Sequence, residues 1–277
     1  MPYKEHILFT DPEETTILWR YMDFTKFVSL LDSKSLFFPS AKKLQKIDPW
    51  EGSELKNELD YDLRNELRIW NKSKNDNQNI IQSDFEHLKE CAKGWENGYE
   101  HQCNINFISC WHYNQTESAA MWRLYLKSNE GLCIRTDIES FKKSFHNSKE
   151  NIFIGKVRYK DYENDIYYSD YDMSKVGFAG ANMFLPFIHK RKIYEHEKEY
   201  RAIAFIIDDS WKDKNGILVN VDLNVLIKEI IVAPSSQKWF KDIIQSIILK
   251  YGYDFKLSNS IVDDTPYSYD LSVYANK

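Results

Sequence analysis

The sequence lacks several features that would assign it to a class at once. Its four cysteines form no CxxC pair, and no signal peptide precedes them. No apolar run approaches the roughly 18 residues that a membrane span needs. Glycine accounts for only 9 of 277 residues, and no glycine-rich phosphate loop is present. We therefore predict a cytoplasmic protein with reduced thiols, no metal site and no membrane association.

An excess of positive charge is also missing. The net charge is -5, which argues against sequence-blind binding of nucleic acid over the whole surface, although a local basic patch stays compatible with it. Hydrophobic residues make up 43% of the chain and aromatic residues 15%, enough to bury a large core. We expect one domain over residues 1–277, with a charged helical insertion at about 54–100.

The apolar patterning mixes strands and helices without strict alternation, which predicts an α+β fold with a mixed, mostly antiparallel central sheet and flanking helices. The predicted strands are 17–22, 36–39, 105–112, 131–136, 152–159, 201–207, 216–221 and 227–232. The predicted helices outside the insertion are 24–31, 118–125, 138–145 and 237–250.

The acidic stretch 194–201 leads directly into an apolar run. If it is already extended there, alternation puts Glu195, Glu197, Glu199 and Arg201 on one strand face. Same-face neighbours lie about 7 Å apart, so stacked carboxylates need a compensating cation or a cationic ligand. The arrangement suits a binding site, and a solvated strand edge with an arginine partner accounts for it equally well.

Two other strands carry residues that packing alone would not select. Arg20 shares a predicted face with Leu18 and Met22, so it needs an anionic partner, either from the protein or from a ligand. Residues 109–112, Ser-Cys-Trp-His, place a hydroxyl, an aromatic ring and an imidazole together, as a nucleotide pocket would. A buried ion pair and a core tryptophan beside a satisfied histidine are the structural alternatives. The basic run 189–192 is typical of a solvated loop and could also hold phosphates.

Several motifs together resemble a known bacterial family, the domain of unknown function numbered 2971. The resemblance covers residues 18 to 232, in order, and rests on these motifs: 18–22 with Phe27 and Leu30–Leu31, 36–38, 48–52, 109–112, 121–122 with Tyr125, 131–134, and 197–201.

The layout of these motifs is in turn similar to that of an ADP-ribosyltransferase. In such enzymes a first-strand arginine or histidine, a second strand with serine or tyrosine, and a later strand with glutamate converge on NAD. The resemblance implies that Arg20 holds the NAD phosphate or ribose, Ser109 braces the nicotinamide end, and Glu199 stabilises the oxocarbenium-like cation. Glu197 would orient the acceptor. The remaining implied NAD contacts are Tyr21, Trp111, His112, Tyr125 and Arg201.

The expected function is therefore that of an NAD-consuming, ADP-ribosyltransferase-like enzyme, of the toxin or anti-phage defence kind. NAD is the expected substrate, and the acceptor is protein, nucleic acid or, in a hydrolase, water. Whether a partner protein restrains the activity stays open. The second-strand motif departs from the Ser-Thr-Ser type, which weakens the assignment of Ser109.

Two other classes of function remain. A metal-dependent nuclease or phosphodiesterase could use Asp48, Glu51, Glu197 and Glu199 as oxygen ligands, with Lys190 or Arg201 on phosphate. Asp48 and Glu51, however, are explained by turn chemistry around Pro49 and Gly52. A non-catalytic interaction or sensor domain would use the acidic strand only as a structural network.

Overall fold

The computed structural model describes residues 2–12, 16–73, 82–126, 128–167, 169, 171, 183–206 and 215–264. Twelve strands lie in these ranges: β1 Tyr3–Lys4, β2 Ile17–Asp23, β3 Ser35–Pro39, β4 Asn106–Tyr113, β5 Gly131–Asp137, β6 Ile152–Lys156, β7 Arg158–Lys160, β8 His189–Arg191, β9 Glu199–Phe205, β10 Gly216–Asn220, β11 Glu229–Val232 and β12 Leu257–Asn259. The helices there are α1 Phe24–Ser33, α2 Ala41–Leu44, α3 Lys56–Ser73, α4 Gln82–Ile105, α5 Ala119–Tyr125, α6 Ile138–Ser144, α7 Leu185–Ile188, α8 Leu223–Leu226 and α9 Lys238–Lys250.

An eight-stranded sheet forms the centre, in the order β1-β6-β9-β4-β2-β5-β11-β12. The outermost pairs, β1–β6 and β11–β12, are parallel, and the five pairs between them are antiparallel. The prediction of an α+β fold with a mixed, mostly antiparallel sheet is confirmed. The six inner strands lie in the order β6, β9, β4, β2, β5, β11. β2 and β4, the first two of these strands in the chain, are therefore neighbours at the centre of the sheet.

Helices and two small sheets cover both faces of the central sheet. On one face, which we call the α9 face, Phe27 of α1, Phe141 of α6 and Ile244 of α9 join the largest hydrophobic cluster with Trp111 and Tyr200 of the sheet. The opposite face is called the α5 face. There α5 packs on β2 and β5 through Met121 and Trp122, and a second cluster beneath β4 and β9 includes residues of α7.

In the region predicted to be a helical insertion, the chain forms two long helices, α3 and α4, which contact each other, and α4 leads directly into β4. α3 buries none of its side chains fully, as its polar composition predicts. Most of the polar stretch at 72–79 lies outside the described residues. Within the described ranges, no helix is both long enough and apolar enough to cross a membrane.

The acidic stretch before β9 is not extended as predicted. Residues Lys192–Glu197 form a 3-10 turn, Lys198 has a left-handed conformation with φ 39° and ψ 62°, and the strand begins only at Glu199. Glu195 is exposed and shares no strand face with Glu199. The turn avoids a row of stacked carboxylates, because it carries Glu195 away from the sheet and leaves one cation between Glu197 and Glu199.

Two other predictions need correction. The basic run at 189–192 is not a solvated loop: His189 and Lys190 are buried in β8, which pairs in parallel with β7. The strand predicted over 152–159 is two strands, because the chain leaves β9 at Val157 and pairs with β8 from Arg158 onward.

Candidate active site

The centre of the sheet contains a gap between β2 and β4. β2 pairs with β4 through only two residue pairs, Leu18 with Tyr113 and Trp19 with His112. By contrast, the ladders of β2 with β5 and of β4 with β9 each contain seven residue pairs. The two halves of the sheet therefore separate after Trp19, and side chains rather than backbone groups fill the space between them.

Arg20 occupies this gap from the α9 face. Its Nη1 donates to Ser109 Oγ at 2.7 Å and to the backbone oxygen of Cys110 at 2.8 Å. The guanidinium carbon also lies 5.5 Å from the ring centre of Trp111, whose Nε1 donates to the same Ser109 Oγ at 3.3 Å. Ser109 is fully buried, and its hydroxyl oxygen joins the arginine to the indole.

No carboxylate forms an ion pair with Arg20 among the described residues. Arg20 was expected to need an anionic partner, whereas the described residues supply it only with neutral acceptors. Burial lowers the pKa of the guanidinium from its usual value, although arginine stays charged near neutral pH. A half-buried cation with spare N–H donors is a suitable group for holding a phosphate or a carboxylate of a ligand.

A different arginine lies on the α5 face of the neighbouring strands. Arg201 is 1% exposed, and both of its terminal nitrogens donate to Glu51, at 2.6 and 2.9 Å. Its Nε donates to Glu199 at 2.6 Å, and Nη1 reaches the backbone oxygen of Phe187 at 2.7 Å. The nearby carboxylates hold the pKa of Arg201 well above its usual value against the effect of burial.

Lys190 extends this network to a third carboxylate. Its Nζ lies 2.6 Å from Glu199 and 2.7 Å from Glu197. When Glu51 and Glu199 are ionised, they balance the charges of Arg201 and Lys190, and the protonation state of Glu197 then decides whether the network is neutral or negative. We call these five residues the buried charge network.

Glu197 and Glu199 have opposite pKa shifts. Burial, followed by the adjacent Glu199 carboxylate, raises the pKa of Glu197 to about 7. Arg201 and Lys190 outweigh the effect of burial on Glu199 and hold its pKa well below the ordinary value. Glu199 is consequently a fixed anion, while Glu197 gains or loses a proton near neutral pH.

His112 places an unpaired acceptor beside the network. Its Nδ1 lies 2.6 Å from the backbone oxygen of Glu197, and a carbonyl can only accept, so Nδ1 carries the proton. Burial lowers the pKa of the imidazole, which leaves Nε2 with a lone pair at neutral pH. This buried Nε2 has no hydrogen-bond partner among the described residues.

Two tyrosines line the same side of the gap. The rings of Tyr21 and Tyr125 stack with centres 6.4 Å apart, and the Tyr21 hydroxyl accepts a hydrogen bond from the Ser118 backbone nitrogen at 2.8 Å. Tyr125 is 43% exposed. Burial and then the charge of Glu199 raise the pKa of its phenol, and Tyr125 in turn acts on the pKa of Arg20. Tyr125 therefore lies close enough to interact electrostatically with Arg20 and with Glu199, the partner of Arg201.

The structure brings the residues predicted from sequence to one region of three adjacent strands, but on two faces. Arg20, Ser109 and Trp111 meet on the α9 face. The register of β4 with β9 and of β2 with β4 puts the others on the α5 face or at its edge: Tyr21, His112, Tyr125, Glu197, Glu199 and Arg201. The gap in the sheet connects the two groups.

Sequence reasoning missed the importance of three residues. Glu51 was explained as part of a turn, yet it is buried and forms a two-pronged ion pair with Arg201. Lys190 entered only as a phosphate ligand of a nuclease, and Tyr159, whose hydroxyl accepts from the Glu199 backbone nitrogen at 2.7 Å, was not considered. The one available signal in the sequence was the pair of acidic residues around Trp50, Asp48 and Glu51. Both are buried in ion pairs, and Asp48 lies 2.8 Å from Arg191.

Comparison with known proteins gave one match. No curated protein and no solved structure matches the chain. Residues 121–202, from α5 into β9, match the model of a family described as a protein of unknown function (DUF2971). This segment contains Tyr125, Glu197, Glu199 and Arg201, and over it the family predicted from the sequence is confirmed.

Proposed function

We propose that the chain is an ADP-ribosyltransferase-like enzyme that consumes NAD and transfers ADP-ribose to a macromolecular acceptor. The observation that carries the proposal is the hydrogen bond from Arg20 to Ser109 across the gap in the sheet, made by a guanidinium with no ion pair among the described residues. The strands of Arg20, Ser109 and Glu199 are neighbours in the order β2, β4, β9. Neighbouring strands for these three residues support the proposal, with Arg20 and Ser109 on the α9 face, Glu199 on the α5 face and the gap between β2 and β4 connecting the two faces.

In the proposed reaction, Arg20 binds the diphosphate or a ribose of NAD through its remaining donors. The glycosidic bond between the ribose and nicotinamide breaks, nicotinamide leaves as a neutral base with the bonding electrons, and the ribose carbon develops positive charge. The acceptor then attacks that carbon and loses a proton. Glu199 supplies a fixed negative charge for this cation, since its pKa is held low.

Glu197 is proposed to receive the proton from the acceptor. A general base works best with a pKa near the working pH, and the pKa of Glu197 is raised to about 7. Its side chain is 16% exposed, against 5% for Glu199, so it is the carboxylate that an acceptor can reach. The unpaired Nε2 of His112 and the exposed ring of Tyr125 offer a hydrogen-bond acceptor and a stacking surface for the substrate.

The cellular role follows only from the resemblance. We propose a cytoplasmic effector of the toxin or anti-phage defence kind, acting on a protein or nucleic-acid acceptor and open to restraint by a partner protein. The nuclease alternative fits the geometry less well. Lys190, Arg191 and Arg201 already neutralise Glu199, Asp48 and Glu51, and a metal ion would have to displace them.

The non-catalytic alternative has one observation in its favour. The buried charge network satisfies Glu199 and Arg201 so completely that a structural role alone would account for both residues. Activity that survives Glu199→Gln would favour a structural role for Glu199 and Arg201 over a catalytic one.

The test is nicotinamide release from NAD by the purified chain, with and without cell lysate and with NAD labelled in the adenylate part. We expect release by the wild type and a loss of about 100-fold or more in Arg20→Met and Glu199→Gln. Arg68→Met, which removes an exposed arginine on α3, is the matched control and keeps full activity. Label on lysate components identifies a transferase, and release without label identifies a hydrolase. No release by folded protein in either condition contradicts the proposal.

A further inference from the structure

The helical insertion contains a cluster of three different metal-binding side chains, far in sequence from the motifs of the candidate site. His87 and Cys91 lie one turn apart on α4 and share a helix face, and Glu66 faces them from α3. Their ligand atoms all lie within 4.8 Å of one another. All three residues are half-buried, so the site is shielded from bulk water and still reachable by an ion.

The distances are those of ligands around one small ion. Zinc binds nitrogen at about 2.0–2.1 Å and sulfur at about 2.3 Å, which in tetrahedral geometry separates the two ligand atoms by about 3.6 Å. Cys91 Sγ lies 3.6 Å from His87 Nε2. Glu66 Oε1 is closer to the same nitrogen, at 2.9 Å, because a hydrogen bond joins them, and it would have to move by a few tenths of an ångström.

We propose that Glu66, His87 and Cys91 form a binding site for a divalent transition metal, most suitably zinc. A thiolate, an imidazole and a carboxylate are the three ligand types of zinc, and hard ions such as Mg²⁺ do not favour the sulfur. On binding, the ion takes the place of the Nε2 proton, which moves to Nδ1, and the Cys91 thiol releases its proton to solvent.

The surroundings supply a fourth ligand position and a probe. Glu66 also lines a cavity of about 900 Å³ between the insertion and the loop that carries Tyr167, so water can reach the ion and complete the coordination. The ring of Trp70 stacks on His87 with centres 3.8 Å apart and planes 11° apart. A charge change on this imidazole will therefore alter the fluorescence of Trp70.

The first experiment titrates the full-length chain with Co²⁺ and with Zn²⁺ after chelator treatment. We expect one ion per chain, a thiolate-to-cobalt charge-transfer band in the near ultraviolet that zinc abolishes, and a fluorescence change that Trp70→Phe removes. Glu66→Gln, His87→Gln and Cys91→Ser should each weaken zinc binding by at least about tenfold.

Two controls separate this site from adventitious binding. Glu96→Gln removes an exposed carboxylate from α4, and Cys103→Ser removes a thiol from the same helix; both should bind zinc as the wild type does. Circular dichroism identifies any variant that fails to fold. Zinc affinity unchanged in Glu66→Gln, His87→Gln and Cys91→Ser, or a cobalt spectrum without a thiolate band, would overturn the proposal. Because the readouts are metal binding, they do not depend on NAD turnover.

Discussion

Arg20 and Arg201 lie on strands separated only by β4, and the protein treats their charges in opposite ways. Arg201 is fully buried and donates to two carboxylates and a backbone carbonyl. Arg20 is half-buried and donates from one nitrogen to a hydroxyl and a carbonyl, both neutral. The network around Arg201 is complete without a ligand, whereas the environment of Arg20 is incomplete within the described residues.

This difference distinguishes an arginine that stabilises the fold from an arginine that is available to bind a ligand. A buried arginine that already has two carboxylate partners cannot bind a third anion without losing one of them. A partly desolvated arginine that lacks an anionic partner costs stability, and proteins accept such costs mainly at binding sites. We therefore assign Arg201 to holding the site together and Arg20 to binding. The same substitution at both positions tests that assignment.

The largest effect is expected for Arg201→Met. It leaves Glu51 buried without its cation and Glu199 with Lys190 alone, so the free energy of unfolding should fall by roughly 3–5 kcal/mol, as measured by urea denaturation. Arg135→Met is the matched control, since Arg135 pairs with Glu229 while 38% exposed and should cost at most about 1 kcal/mol. Equal losses in the two variants would show that the buried charge network has no special role in stability.

The second largest loss in the free energy of unfolding is expected for Ser109→Ala. The hydroxyl accepts hydrogen bonds from Arg20 and from the buried indole of Trp111, and its removal leaves both donors without this partner. The expected loss is about 1–3 kcal/mol. Ser144→Ala is the control, because that buried hydroxyl only donates to the Phe141 carbonyl and should cost less. A smaller loss at Ser109 than at Ser144 would mean that the donors find other acceptors, and that the gap is adaptable.

Glu197→Gln should change how stability depends on pH. The pKa of Glu197 is about 7 in the folded protein, above its unfolded value of 4.5, so the folded state binds more protons between these values. Stability contributed by Glu197 is therefore lost as pH rises from about 4.5 through about 7, by an amount on the order of 3 kcal/mol. Unfolding measured at pH 5, 6, 7 and 8 should show a flatter profile in the variant.

Glu195→Gln is the control for that experiment, since Glu195 lies in the same turn and is exposed. Its profile should follow that of the wild type. A wild-type profile that rises between pH 5 and 8, with no difference in Glu197→Gln, would contradict the raised pKa and the proposed role of Glu197 as a base.

The smallest effect on stability is expected for Arg20→Met. Methionine keeps an unbranched apolar chain and removes a desolvated charge at the expense of two hydrogen bonds to neutral acceptors, so the free energy of unfolding should change by less than about 1 kcal/mol. A variant that is stable yet inactive on NAD would confirm that Arg20 serves binding. A loss as large as that of Arg201→Met would place Arg20 among the structural residues.

Much of the fold could be predicted from local pattern. The strand at 17–22, the helix after it and the helix at 138–145 were predicted to within two residues, because apolar spacing is a local signal. The turn before β9 could not be predicted in this way. Its shape depends on Lys190, which pairs with β7 and then reaches back to Glu197 and Glu199.

The candidate site was predicted in part for the same reason. Arg20 and the Ser109–His112 motif stand out where they lie, since a charge on an apolar strand is visible in the sequence. The partner of Arg201 is 150 residues away at Glu51, and the ligands of the proposed zinc site come from two helices. Such groups meet only through the tertiary fold, which is why the absence of a CxxC pair led to the expectation of no metal.

The two-pair ladder between β2 and β4 has a consequence for how the molecule would respond to a ligand. Where the strands separate, the guanidinium of Arg20 takes the carbonyl of Cys110 that a neighbouring strand would otherwise hold. A ligand that draws Arg20 toward itself competes with this hydrogen bond. Ligand binding at the site and the contact between the two halves of the sheet are therefore thermodynamically coupled. The arginine thus acts as a reversible substitute for missing backbone pairing.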